Sequence, residues 1–146
     1  MSNPTPTTDA RSRAKNTDAQ YQGMNWIRQE KRLAIYLRDG LSCCYCGASV
    51  ENGTQLSLDH VKPHSKGGSN HADNLVTCCC RCNSSRGNRA MATFAGSVAG
   101  YVNHGVTKAE IVAHVNACRR RDMPTAEAKA MIARRGSAAK ALAKLA

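Results

Sequence analysis

Residues 43–83 read "CCYCGASVENGTQLSLDHVKPHSKGGSNHADNLVTCCCRCN", and this stretch decides the fold. Two Cys-x-x-Cys pairs, Cys43 with Cys46 and Cys79 with Cys82, bracket a glycine-bearing polar segment that holds an acid and an imidazole side by side, Asp59 and His60. Four thiolates at this spacing match a tetrahedral structural zinc site. Cys44, Cys78 and Cys80 stand in the same clusters, and Cys78 could replace Cys79; the two-residue gap to Cys82, just before Asn83, favours Cys79. The span between the pairs exceeds that of the shortest zinc ribbons, so "LDHVKPHSKGG" loops out between the two knuckles.

Outward from there, "NWIRQEKRLAIYLRD" (25–39) predicts a helix with Trp26, Leu33, Ala34 and Leu37 on one face and Arg28, Lys31, Arg32 and Arg38 elsewhere. Gly40 is placed to end it. "SLDHVKP" reads as extended and "SKGGSN" as the turn after it. The stretch 71–94 starts as a loop and becomes helical near the second cysteine pair, a strand, loop, helix order. Thr107 and Glu110 form a capping box ahead of a helix carrying Ile111, Val112, Val115 and Cys118 on one face. Another helix from about Pro124 stops after Arg135 at Gly136, and the Ala- and Lys-rich tail beyond is only marginally helical alone. The first 20 residues have almost nothing to bury and read as a disordered arm. There is no internal repeat.

A chain of 146 residues supports one main core. Its 21 Lys and Arg against 10 Asp and Glu give +11, a balance that draws a polyanion, nucleic acid first. Residues 119–146 hold eight basic and two acidic residues, densest at Arg119, Arg120 and Arg121, against nine and five in 21–92. Such a run is either a solvated helix face or a second contact to phosphate. No run of about 18 apolar residues could span a membrane, and the N-terminus has no apolar signal region. A cytoplasmic location is therefore expected, where reduced thiols serve as ligands or buried groups rather than as a disulfide framework. One Phe, one Trp and four Tyr are too few for a base-stacking platform, so Trp26 and Tyr36 read as packing.

Neighbours on a strand point to opposite faces, so Asp59 and His60 converge on one metal and water only where the backbone bends. An imidazole whose other nitrogen is held can take a proton from water near neutral pH, and a carboxylate can hold a hard divalent cation. Hydrolysing a phosphodiester needs both, with positive charge for the developing anion. His64, His71, His104 and His114 read as bystanders.

In order along the chain come Arg-Asp-Gly before the first pair, Tyr-Cys-Gly around Cys46, Asp-His followed by Pro63, the Gly67-Gly68 turn, Asn74-Leu75, and Cys-x-x-Cys-Asn ending at Asn83. Over about residues 30–90 this resembles the HNH endonucleases. The resemblance implies an α+β fold: a small ββα-metal core stapled by a four-cysteine zinc site, with an N-terminal helix and appended C-terminal helices. It divides the chain into an arm (1–20), a nuclease domain (21–94) and a basic helical extension (95–146).

By the same resemblance His60 is the general base, Asp59 and Asn83 hold a catalytic Mg²⁺ or Mn²⁺, and Asn74 fixes the loop and orients the His60 ring. Asn83 stands where the family often has histidine, and Ser85 is its alternative as a ligand. Arg86 and Arg89, with Lys62 and Lys66, are the candidate nucleic-acid contacts. The partner implied is DNA, cut to 5′-phosphate and 3′-hydroxyl ends, as nicks or as double-strand breaks that need two chains or two visits. Similar small proteins are encoded by bacteriophages and mobile elements, an analogy that suggests a homodimer or packaging proteins as further partners. Two other classes compete: a non-catalytic zinc-stapled DNA-binding module, and a zinc-stabilised scaffold whose C-terminal helices dock another protein.

Overall fold

The computed structural model describes residues 26–102 and 105–145, so the arm read over residues 1–20 and His104 lie outside the described residues. Helix α1 (Gln29–Arg38) leads into the first cysteine knuckle. An antiparallel pair follows, β1 (Leu56–His60) and β2 (Leu75–Cys79), and then α2 (Cys80–Arg86). Helices α3 (Met91–Tyr101), α4 (Lys108–Arg120), α5 (Thr125–Arg135) and α6 (Ala138–Leu145) complete the chain. Helices α1 and α4 pack on the ββα unit of β1, β2 and α2, and the remaining helices pack mainly on these two.

Helix α1 begins at Gln29, later than expected, and Trp26 lies ahead of it. It ends at a Schellman motif: the Leu41 N–H donates to the Tyr36 carbonyl and the Gly40 N–H to the Leu37 carbonyl. Gly40 has φ 82°, the left-handed conformation that this C′ position demands. Arg38, assigned to the polar side, is instead buried with Asp39, and the reason is a structural task.

That task concerns β2, whose five residues are all buried and whose one edge pairs with β1 from Leu56↔Cys79 to His60↔Leu75. The other edge would leave backbone groups unsatisfied in the interior, a cost of about 1–3 kcal/mol each. The Arg38 guanidinium donates to the Leu75 and Ala72 carbonyls, and the Thr77 N–H donates to Asp39 Oδ2 at 2.8 Å. The Cys44 N–H donates to the Thr77 carbonyl. An Arg-Asp pair and a knuckle amide thus stand in for a third strand. The local pattern read Leu75–Cys79 as loop; a strand buried on both faces shows no alternation, and this one is "LVTCC".

Helices α3 and α4 cover the cysteine-rich side through Phe94, Ala95, Val98, Ile111, Val115 and Cys118. The division expected between residues 94 and 95 falls within α3, at the fully buried Phe94. Removing the Phe94 ring would cost about 3–5 kcal/mol. The Thr107–Glu110 capping box at α4 is present in both directions. Helices α5 and α6 lie on α1, where Ala128, Ala138 and Ala141 close over Leu33 and Ala34. The tail beyond Gly136 is therefore a docked helix; small alanines permit close approach and supply what propensity alone does not.

Candidate nuclease site and metal centre

The Cys43, Cys46, Cys79 and Cys82 sulfurs all lie within 4.8 Å of one another. Each pair forms a knuckle, with the Cys46 N–H turned onto Cys43 Sγ and the Cys82 N–H onto Cys79 Sγ. Cys46 and Cys79 bring the two knuckles together at 3.7 Å, against about 3.8 Å for the edge of a tetrahedron with zinc–sulfur bonds of about 2.3 Å. The donor set fits a thiophilic ion such as zinc. Strand alternation separates the rivals: Cys79 joins the cluster while Cys78, beside it, points into the apolar core and is fully buried. Cys43 is held below the ordinary thiol range because it accepts a hydrogen bond from Cys82, whose own pKa is pushed up by the same contact. A thiolate is the form that binds metal.

Between the strands, loop 61–74 is organised by Asn74. Its Oδ1 accepts the Lys62 N–H at 2.8 Å and its Nδ2 donates to the Lys62 and Ser69 carbonyls. The loop packs so closely here that a Cβ on Gly68 would lie 1.8 Å from the Lys62 carbonyl oxygen. Gly67 has φ 86° and closes the 3-10 turn His64–Lys66. The paired glycines thus serve two needs, one conformational and one of space.

Asp59 and His60 end β1 with separate partners. The buried Asp59 presents Oδ2 to the Tyr45 hydroxyl at 2.6 Å and to the Arg86 guanidinium. Burial pushes its pKa up, and the Arg86 charge pulls against that rise. The half-buried His60 ring lies 4.8 Å from the Trp26 ring, tilted 32°, with the exposed His64 edge-on at 5.7 Å. Its Nε2 is 2.8 Å from Asn70 Oδ1. The expectation that Asn74 orients this ring is corrected: the Asn74 amide is spent on loop backbone, and Asn70 holds the imidazole. Asn83, on α2, donates through Nδ2 to Ser57 Oγ at 2.9 Å and to the Leu58 carbonyl. Ser85 is exposed on the same helix.

Arg86 is a second correction. Read as a phosphate contact, it is 2% exposed and donates to Asp59 Oδ2 and to the His60, Val61 and Arg89 carbonyls. Its guanidinium ties the end of β1 to α2 and has no face to offer a ligand. Arg89 is exposed, packs 5.1 Å from the Phe94 ring centroid, and bonds Ser85 O and Ser97 Oγ. Lys62 and Lys66 are exposed, and Lys66 Nζ reaches the Asn88 carbonyl. In the basic run, Arg119 bonds the Asp73 carbonyl and Arg121 the Arg38 carbonyl, so two of its three arginines brace the loop and α1.

The residues that sequence reasoning missed are Asn70 and Tyr45 as side-chain partners. Tyr45 was visible only as the start of Tyr-Cys-Gly, and Asn70 lies in a loop whose path no periodicity sets. Among the described residues no helix is long and apolar enough to cross a membrane.

Residues 43–97 match the family model described as HNH endonuclease. The chain is 37% identical over 59 residues to the CRISPR-associated endonuclease Cas9 of Corynebacterium diphtheriae, and 40% identical over 65 residues to that of Actinomyces naeslundii. These alignments take in 40% and 44% of this chain but 5% and 6% of the two relatives. The crystal structure of the Type II-C Cas9 enzyme from Actinomyces naeslundii superposes on 86% of this chain and 12% of its own, with a TM-score of 0.47 and 26% identity.

Proposed function

We propose, from the match of residues 43–97 to the HNH endonuclease family model, that the protein is a metal-dependent nuclease that hydrolyses DNA phosphodiester bonds to 5′-phosphate and 3′-hydroxyl ends. The observation that carries the reading is the half-buried His60 imidazole, held through Nε2 by Asn70 at the end of the strand whose neighbouring residue is the buried acid Asp59. With Nε2 engaged, the other ring nitrogen is the one to take a proton from the attacking water. Asn74 acts at one remove, by keeping loop 61–74 in the shape that presents Asn70 and His60 together.

Both hydrogen bonds to Asp59 fall on Oδ2, and Asn83 is anchored through its amide nitrogen, so Asp59 Oδ1 and Asn83 Oδ1 are the hard oxygen donors available. Mg²⁺ or Mn²⁺ suits such a pair, because these ions bind through few protein oxygens and complete their shells with water and phosphate. When bound, the ion supplies charge stabilisation to the leaving 3′ oxygen. Lys62, Lys66 and Arg89 line the exposed side of the loop and of the turn after α2, where a phosphate backbone would lie. The four-cysteine centre is structural: it joins the knuckle that carries Tyr45 to the start of α2.

A second reading, the zinc-stapled module that binds DNA without cutting it, is favoured by one observation: Asp59 already has a cation, Arg86, in its pocket. Plasmid cleavage separates the two. Zinc-loaded protein should convert supercoiled DNA to nicked or linear form with Mg²⁺ or Mn²⁺ and not with EDTA, and His60→Ala should be inert while retaining zinc and DNA. Wild type that retains DNA and stays inert with every divalent ion would reverse the choice.

A further inference from the structure

A second group of soft ligands lies beside the first. Cys44 Sγ, a His114 ring nitrogen and Cys118 Sγ are all within 4.8 Å of one another, and none of them belongs to the four-sulfur centre. His114 and Cys118 are one turn apart on α4, which puts them on a common face, and Cys44 reaches that face from the first knuckle. Their spacing is that of ligands. Cys118 Sγ and His114 Nε2 are 3.6 Å apart, and the edge of a tetrahedron built from zinc–sulfur and zinc–nitrogen bonds is also about 3.6 Å. Both sulfurs are buried while His114 is exposed, so an ion would be held from inside and reached from outside.

We propose that Cys44, His114 and Cys118 form a second metal site, for a thiophilic d¹⁰ cation with Zn²⁺ as the leading occupant, three protein ligands and a fourth position open to water. Two thiolates and an imidazole select against the hard ions suited to Asp59 and Asn83. The site would fasten α4 to the knuckle between Cys43 and Tyr45, giving the helical extension a covalent-strength tether to the nuclease core. It stands on these three side chains alone and does not depend on the nuclease reading.

The test is a zinc titration of the reduced, metal-free full chain against a chromophoric chelator, with elemental analysis of the reloaded protein. Wild type should take two equivalents and Cys118→Ala one. Because Cys118 is buried, His114→Ala is the decisive variant: a surface change that should keep the first equivalent and weaken the second beyond the roughly 10- to 100-fold that losing an outer partner of a ligand costs. Saturation of wild type at one equivalent up to micromolar free Zn²⁺, or a second equivalent bound as tightly by His114→Ala as by wild type, would overturn the proposal.

Discussion

Replacing Arg86 with methionine should destabilise this protein more than almost any other single change at a charged residue. The Arg86 side chain is 1% exposed and its partner Asp59 8%. Deleting the cation leaves a buried carboxylate without its counter-ion, held by the Tyr45 hydroxyl alone, which costs about 3–5 kcal/mol. The His60, Val61 and Arg89 carbonyls also lose their donor, and those nearest solvent recover water, so the total belongs in the upper part of that range rather than at the sum. With a urea slope of about 1.5 kcal/mol/M, the unfolding midpoint of the zinc-loaded protein should fall by about 3 M.

The charge itself can be isolated. Asp59→Asn in the Arg86→Met background should restore part of the loss, with a coupling of about 1–3 kcal/mol in the double-mutant cycle. Without Arg86 the burial that already pushes the Asp59 carboxyl up loses its largest opposing influence, and the Tyr45 hydroxyl and the neighbouring His60 are left to counter it. A carboxyl raised on folding takes up a proton in the native state, so the deficit of Arg86→Met should shrink as pH falls and widen as it rises. A loss below about 0.5 kcal/mol, the size of a surface substitution, together with weaker DNA binding, would refute this and return Arg86 to the phosphate contacts.

Other perturbations are simpler. Asn70→Ala, at an exposed position, should leave stability unchanged and reduce the cleavage rate by roughly 10- to 100-fold by freeing the His60 ring; nicking at the wild-type rate would remove Asn70 from the site. Cys79→Ser should lose structural zinc where Cys78→Ser keeps it, as read by metal analysis, and the reverse result would exchange the two sulfurs. Thr107→Ala should cost about 1 kcal/mol in thermal or urea unfolding. The Thr107 N–H that donates to the Glu110 carboxylate, with the Thr107 side chain second, also depresses the Glu110 pKa. This contribution is present above the unfolded value and is lost as pH falls through the folded one, a dependence that Glu110→Gln should remove and Thr107→Ala, which keeps the N–H, should only reduce.

Much of this architecture is legible in the residues. The cysteine spacing, the Gly40 stop, the Thr107–Glu110 box and the Gly136 stop each act over a few residues, where local chemistry decides. What was not legible depends on the chain meeting itself. Arg38 looks like one more surface arginine until β2 arrives with an unpaired edge, and Arg86 looks like a phosphate ligand until β1 ends beneath it. Both are long cations whose place is set by carbonyls, and carbonyls leave no mark in a sequence. Asn70 and Asn74 were separable only by the path of loop 61–74, and the alternation between Cys78 and Cys79 needed the strand to be seen first. Cys118 was placed on the apolar face of its helix, while its neighbour His114 gained meaning only from Cys44 across the fold.

The docking of α5 and α6 on α1 sets a timetable for synthesis. The Gln29 side chain accepts from the Ala138 N–H, a contact spanning 109 positions, and Leu33 and Ala34 are buried in one cluster with Ala128, Ala138 and Ala141. A ribosome adding about 5–20 residues per second makes those alanines some 5–20 s after α1 itself. Through this interval the apolar flank of α1 faces water or a chaperone. The cysteine knuckles, closed by residue 82, can take their metal well before then. Metal loading and closure of the α1 flank are therefore separated in time, and a translational pause near residue 120 would lengthen the gap while leaving the metal centre formed.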